Sequence, residues 1–220
     1  MFSFLVKTDR YKDNKRYQKV PLSPIHQEST HLNLKVHGEI PPHLNGLYIR
    51  NGPNHMDEIG PHHHYFAGHG MVHGVKLSNG KALWYRNRVI RTGDVPELLN
   101  EPDPGGPISH GIDFSPNTNV VLFADRLYAT MEAGSNIVEL GPHLETVTRS
   151  TLNGVLEYGF TGHHKVDPED GDIHAVIYNR VLRKKALYVR LTPDGELLNQ
   201  VQVPLTGATQ IHDMSITKNY

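Results

Sequence analysis

The chain is 220 residues long, with 22 Lys and Arg residues against 23 Asp and Glu residues, and it contains no cysteine. A net charge of −1 and a pI near 7.0 argue against a nucleic-acid partner, which needs a basic face. The absence of cysteine excludes a disulfide framework and disfavours a structural zinc or iron–sulfur site. It also suits a reducing compartment, so we expect a cytoplasmic protein.

The N-terminal part changes character near residue 32. Residues 1–31 are polar and mixed in charge, and we expect them to form an irregular N-terminal arm. From residue 32 to residue 36 apolar and polar residues alternate, which predicts a half-buried strand. A second short strand is predicted at residues 47–49, and the Asn-Gly-Pro sequence at residues 51–53 predicts the turn that ends it.

The rest of the chain is a series of short apolar runs separated by turn residues. Residues 71–77 and 81–91 flank a Ser-Asn-Gly turn and predict a hairpin, whereas the Pro- and Gly-rich residues 93–116 predict a long loop. Further strands are predicted at residues 119–124, 127–131, 136–140, 173–179, 186–191, 197–204 and 210–215. This pattern predicts an all-β chain, and periodicity alone leaves a barrel, a sandwich and a propeller open.

Two histidine motifs are candidates for chemistry. The first is the stretch from Thr161 to Pro168, which contains His163 and His164, and the second begins at His212. Each motif adjoins a predicted strand, and His163 and His212 are 49 positions apart, so only the fold can bring them together. Imidazole suits iron, zinc and copper, and the motifs therefore indicate a metal site.

Several segments, taken in order, resemble the carotenoid cleavage oxygenase family, including its stilbene-cleaving members. The resemblance covers roughly residues 32–220 and includes both histidine motifs. The other matching segments are residues 38–54, 64–75, 85–88, 91–92 and 117–120. Residues 32–220 are thereby expected to form a partial carotenoid oxygenase propeller domain.

The resemblance implies an all-β, seven-bladed β-propeller, of which this chain carries roughly the first half. In the family, four histidines hold Fe(II) on the propeller axis, and O2 cleaves a conjugated double bond of an apolar substrate into two carbonyl products. The expected partners are O2 and a carotenoid, apocarotenoid or stilbene. His163 matches the first iron ligand and His212 the second, so the other two ligands are expected beyond Tyr220.

The resemblance also implies a supporting carboxylate and one departure from the family pattern. Glu132 matches a carboxylate that accepts a hydrogen bond from a ligand imidazole and fixes its orientation. His164 is expected to face solvent, because adjacent strand residues point to opposite sides. The family usually has Asp near the positions of Ala67 and His69, and their replacement is expected to alter a local polar network.

Three other readings of the sequence stay open. The chain could be a truncated, non-catalytic fragment of such an enzyme, and we expect 220 residues alone to be inactive. It could be a retinyl-ester isomerase–hydrolase relative, or a generic β-propeller binding protein. Residues 93–116 combine Leu98 and Leu99 with several acidic residues, so we expect any membrane contact to be weak and peripheral.

Overall fold

The computed structural model describes residues 23–56, 64–207 and 209–218. Within them, twelve strands form three four-stranded antiparallel sheets, so the prediction of an all-β chain is confirmed. The described residues include no helix that is long and apolar enough to cross a membrane.

The first sheet has the strand order β1-β4-β3-β2. Its strands are β1 (Ser29–Leu32), β2 (Gly46–Asn54), β3 (His69–Ser78) and β4 (Lys81–Val89). Between β3 and β4, Asn79 and Gly80 have φ angles of 48° and 73°, the left-handed pair that a type I′ hairpin turn requires. The hairpin predicted at these residues is confirmed.

The second and third sheets are each a simple meander, with the orders β5-β6-β7-β8 and β12-β11-β10-β9. The second contains β5 (Asn119–Phe123), β6 (Arg126–Thr130), β7 (Ile137–Leu140) and β8 (Thr146–Ser150). The third contains β9 (Lys165–Val166), β10 (Ile173–Ile177), β11 (Lys185–Leu191) and β12 (Leu197–Pro204).

The N-terminal predictions need two corrections. The alternation over residues 32–36 does not form a strand: β1 ends at Leu32, and both Leu32 and Val36 are exposed. Residues 51–53 do not end β2, which continues to Asn54. Pro53 is tolerated because β2 lies at the edge of its sheet, where a missing N–H need not break a ladder.

The expected boundary between the N-terminal arm and the propeller domain, at residue 32, falls inside β1. Residues 1–22 of the arm lie outside the described residues.

Two further differences concern the C-terminal half. The predicted strand at residues 210–215 is wrong: the described residues 209–218 contain no strand. The sequence did not predict β8 or β9, because β8 is polar and β9 has only two residues.

The second sheet is buried on both faces. One face packs against the first sheet through buried residues from β3, β6 and β7, among them Val72, Ala129 and Val138. The other face packs Val121 and Phe123 of β5 against the third sheet. This second cluster also contains Tyr128, Ile137, Leu156, Phe160, Ile173, Ala175, Ile177, Leu187, Val189 and Leu191. The sheets are therefore stacked face to face in chain order, as propeller blades are.

The first strands of the three meanders, β2, β5 and β9, each lie at an edge of their sheet, and these edges meet. Asn51 of β2 donates its side-chain amide to the Asn119 carbonyl of β5 at 3.2 Å. Asn119 in turn donates its side-chain amide at 3.0 Å to the carbonyl of Gly162, three residues before β9. This common edge positions the peptide just before His163.

The loop at residues 93–116 contains a short helix, α1 (Val95–Leu99), and one 3-10 turn (Ser109–Gly111). Arg149 of β8 fixes this loop to the second sheet through two carboxylates. Its guanidinium donates to both oxygens of Asp103, at 2.8 and 2.7 Å, and to both oxygens of Asp113, at 2.9 and 2.7 Å. We call Arg149, Asp103 and Asp113 the arginine clamp.

Candidate metal centre

His163 lies just before β9, in a segment that is pressed against the start of β5. The His163 N–H donates to the Thr161 hydroxyl at 3.2 Å. A Cβ on Gly162 would stand 2.4 Å from the Thr118 methyl carbon, so only glycine permits this close approach. The side chain of His163 is half-buried at this position.

His212 lies in the irregular segment after β12, and the fold brings it to His163. The centroids of the two imidazole rings are 4.4 Å apart, with an interplanar angle of 62°. Lys165 of β9 donates to the Asp213 carboxylate at 2.5 Å, which holds the two segments together. This hydrogen bond is the main reason why the pKa of Asp213 is lowered from its ordinary value. The fold therefore brings the two motifs together.

Glu132, two residues after β6, contacts His212 from the second sheet. Its Oε1 is 3.2 Å from Nδ1 of His212. A carboxylate only accepts, so Nδ1 donates, and Nε2 of the neutral ring keeps its lone pair. Glu132 thus contacts an imidazole, as the family resemblance implies, although His212 itself is 71% exposed.

The second oxygen of Glu132 marks a residue that sequence reasoning missed. Among the described residues Oε2 of Glu132 is buried without a hydrogen-bond partner. The phenol of Tyr178, which follows β10, has its pKa raised, first by burial and then by the charge of Glu132 and a hydrogen bond to its carboxylate. The phenol therefore lies beside Glu132. Tyr178 ends an apolar run, and no pattern in the sequence distinguishes it from a packing residue.

His164 does not face solvent, so that expectation is wrong. Its ring is half-buried, with its centroid 5.7 Å from that of Phe160, a member of the core. Burial, followed by the charges of Lys165 and His163, lowers the pKa of His164 to about 4. His163 and His164 thus contact different neighbours, His212 and Phe160, as the alternation of adjacent residues predicts.

The donor chemistry of this centre fits a divalent iron ion in part. Two imidazoles, one oriented by a carboxylate, are ligands that Fe(II) accepts. Over the described ranges no group of three or more His, Cys, Asp or Glu side chains is arranged to hold a metal. The chain therefore offers two candidate ligands, and a complete centre needs others.

His69, where the family pattern usually has Asp, builds its own polar network at the start of β3. Nε2 of His69 is 3.0 Å from Oδ1 of Asp94, and its Nδ1 accepts the Met56 N–H at 3.3 Å. The buried ring joins Met56, two residues after β2, to Asp94, the N-cap of α1. The second departure, Ala67, ends a 3-10 turn (Tyr65–Ala67).

Comparison with known proteins identifies the class to which this fold and centre belong. The family model described as "Retinal pigment epithelial membrane protein" (RPE65) matches residues 22–220. A carotenoid cleavage oxygenase of Mycobacterium tuberculosis is 41% identical over 202 residues, which is 90% of this chain and 40% of that protein. Apocarotenoid-15,15'-oxygenase of Synechocystis is 30% identical over 210 residues, which is 84% of this chain and 43% of that protein.

The solved structures agree on the architecture. Lignostilbene dioxygenase of Pseudomonas brassicacearum superposes with a TM-score of 0.77 at 23% identity, covering 90% of this chain and 44% of that one. A Synechocystis apocarotenoid oxygenase variant gives a TM-score of 0.73 at 29% identity, covering 92% of this chain and 46% of that one.

The chain therefore belongs to the RPE65 and carotenoid cleavage oxygenase family. It spans about 40% of the length of the curated relatives first matched. The prediction that it carries roughly the first half of a β-propeller is confirmed, with three blades in the described residues.

Proposed function

We propose that this chain supplies two of the iron ligands, His163 and His212, of a non-haem Fe(II)-dependent dioxygenase. The enzyme cleaves a conjugated double bond of a carotenoid, apocarotenoid or stilbene to carbonyl products. The observation that carries the proposal is the 4.4 Å separation of two imidazole rings that are 49 positions apart, with Glu132 on one of them. Hydrophobic packing alone would not require two imidazole rings in contact with each other and a carboxylate hydrogen-bonded to one of them.

Each residue of the centre has a definite task in this proposal. Bound Fe(II) would supply the activation of O2, which needs an open coordination position. His163 and His212 offer neutral imidazole nitrogens, which leave the charge of the ion unchanged. Glu132 keeps the proton of His212 on Nδ1, so that Nε2 remains a lone-pair donor. The Lys165 and Asp213 pair holds the two ligand segments at a fixed separation.

The substrate class follows from the relatives, whose names refer to carotenoids, apocarotenoids and lignostilbenes. Such conjugated molecules are apolar and partition into membranes, so we include peripheral membrane contact through the loop at residues 93–116. Leu98, Ile108 and Phe114 of this loop are 46%, 49% and 51% exposed. Acidic neighbours such as Glu97 keep this contact weak.

A cytoplasmic location belongs to the same proposal. The lack of cysteine supports it, and cell fractionation tests it.

The test joins this chain to the C-terminal part of the Mycobacterium tuberculosis relative, which is 41% identical over the matched region. We call the product the joined protein. It should convert a carotenoid or a stilbene to carbonyl products only when iron and O2 are both present. His163→Ala and His212→Ala should each abolish turnover. Equal product formation without iron would contradict the proposal.

Two alternatives correspond to distinct outcomes of this test. An isomerase–hydrolase relative would release an alcohol and a fatty acid from a retinyl ester without consuming O2. A non-catalytic fragment is kept as a candidate because the chain spans only about 40% of its relatives. Its joined protein would fold and bind iron yet form no product from any of these substrates.

A further inference from the structure

The segment that carries His163 lies outside the hydrogen-bonded ladder of its own sheet. β9 pairs with β10 at only two positions, Lys165 with His174 and Val166 with Ile173. The ladder therefore does not fix the backbone of His163. Since a ligand must be held within a fraction of an ångström of its working position, another contact has to restrain this peptide.

Asn119, the first residue of β5, supplies that contact. Its side-chain amide donates to the Gly162 carbonyl at 3.0 Å. That carbonyl belongs to the peptide bond between Gly162 and His163. Its Oδ1 accepts the Val120 N–H at 2.8 Å, so both ends of the amide are used and its orientation is fixed. Asn51 donates to the Asn119 carbonyl at 3.2 Å and thereby restrains Asn119 from the first sheet.

Sterics restrain the same peptide independently. A Cβ on Gly162 would stand 2.4 Å from the Thr118 methyl carbon, so Gly162 is in close contact with the residue that precedes β5. The N–H of His163 is bound to the hydroxyl of Thr161 at 3.2 Å. Three groups around this peptide are thus restrained by different residues. Asn119 binds the Gly162 carbonyl, Thr118 packs against the Gly162 Cα, and Thr161 binds the His163 N–H.

We propose that Asn119 is a positioning residue that fixes the backbone of the candidate ligand His163 from the neighbouring first strand. It does so without touching the metal or the imidazole ring. The importance of this role for metal binding rests on the proposed function, because it requires His163 to be a ligand. The positioning itself does not, because the contact of the His163 and His212 rings can be observed without metal.

A purely stabilising role for Asn119 must be separated from a positioning role, and Asn54 provides the matched control. Asn54 also accepts a backbone N–H through Oδ1, from Ile25 at 2.8 Å. Its amide donates to the carbonyl of the same residue at 2.9 Å. Asn54 makes the same two kinds of hydrogen bond as Asn119, but with a residue of the N-terminal segment, and its amide also contacts the Met56 sulfur at 3.4 Å. Replacing either Asn by Asp keeps the acceptor and removes the donor.

The experiment uses the full 220-residue chain with 15N-labelled histidine. NMR measures the nuclear Overhauser effect between the rings of His163 and His212, and Zn²⁺ titration measures the apparent affinity at these two rings. In Asn119→Asp and Asn119→Ala we expect the ring-to-ring effect to fall at least fivefold and the Zn²⁺ affinity to fall about 10-fold, the low end of the range for outer contacts of a metal ligand. Asn54→Asp should change neither quantity, and it serves to subtract any general loss of stability.

The outcomes separate the two proposals. If the wild-type rings are in contact but bind no Zn²⁺, the metal-binding proposal is weakened while the positioning role is still decided by the ring-to-ring effect. If the Asn119 variants keep the wild-type ring contact, or lose it no more than Asn54→Asp does, the positioning role is wrong. Absence of the ring contact in the wild-type chain would also overturn it.

Discussion

The arginine clamp and the candidate metal centre both use charged groups between chain segments, but only the clamp is complete. Arg149 is 1% exposed, and its guanidinium places five hydrogen bonds, four on the two carboxylates and one on the Gly105 carbonyl. Its bonds are also the chief reason why the pKa of Asp103 falls to about 2. In the centre, by contrast, His212 is largely exposed, and Oε2 of Glu132 is buried without a partner among the described residues.

This difference separates a polar cluster whose hydrogen bonds are complete from one whose hydrogen bonds are not. A buried charge stabilises a fold only when its hydrogen-bonding capacity is met, as it is around Arg149. A buried acceptor without a partner costs free energy, and strain, a functional role, a water molecule or an ion can each account for it. The clamp fixes the loop to the second sheet, whereas in the proposed function the centre keeps imidazole nitrogens available for a metal ion. The predictions that follow test this division, from the largest expected effect to the smallest.

Arg149→Met should be the most damaging single change, because it leaves Asp103 and Asp113 facing an apolar side chain. Loss of one partner from a fully buried ion pair costs about 3–5 kcal/mol. Because Asp103 is 53% exposed, the decrease in the free energy of unfolding, measured in urea, should lie below that range. Arg190→Met is the control, since Arg190 also binds two carboxylates, Asp170 and Asp172, but is far more exposed. An equal loss in both variants would show that the clamp has no special structural role.

Gly162→Ala should destabilise the chain and displace His163, since the new methyl group would overlap Thr118. Overpacking of this kind costs about 1–3 kcal/mol. Gly52→Ala is the matched control, because a Cβ on that strand glycine meets nothing within 4 Å. Thermal unfolding and the contact between the His163 and His212 rings are measured together. A stable Gly162→Ala variant with unchanged ring contact would disprove the close approach.

Glu132→Gln should have a small effect on stability and a clear effect on Tyr178. Its hydrogen bond to an exposed ring is worth about 1 kcal/mol or less. Removal of the negative charge should lower the pKa of the Tyr178 phenol, which burial and Glu132 together raise. Ultraviolet titration of the tyrosines measures this, and Tyr178→Phe identifies the signal. If the titration curve is the same with Glu and Gln at position 132, the two groups do not interact.

His73→Gln should give the smallest change, visible only as a pH dependence. Burial, and then the charge of Arg50, lowers the pKa of His73 below its ordinary 6.5. Below pH 6.5 the unfolded chain therefore binds a proton that the folded chain does not, and the wild-type stability falls as the pH decreases. The variant should lose part of this slope in urea unfolding between pH 5 and 7. His143→Gln, at an exposed position, controls for the loss of an imidazole.

The sequence predicted the parts of the fold that local chemistry determines. The hairpin of β3 and β4 was predictable because its strands are apolar and Asn79 and Gly80 favour the left-handed turn. β9 was not, because two residues carry no periodicity and the strand exists only through its pairing with β10. Residues 210–215 have a strand-like composition, but a strand also needs a ladder partner, which they lack among the described residues.

The same division applies to the candidate centre. His163, His212 and Glu132 could be predicted because their motifs resemble those of a known family. Tyr178 and Asn119 could not, since their roles depend on contacts between segments that are 46 and 43 positions apart in the sequence. The prediction for His164 was wrong because the alternation of side chains gives only a direction, away from His163. It does not show that this direction leads to Phe160 of the core rather than to solvent.

The most direct test of the central claim is the iron content of the joined protein, measured beside that of three alanine variants. If His163 and His212 are ligands, the wild-type protein should bind about one iron per chain, and His163→Ala and His212→Ala should each lose most of it. His164→Ala should retain the iron, because its ring contacts Phe160 rather than His212. Full iron binding by folded His163→Ala, or its loss only in His164→Ala, would contradict the assignment.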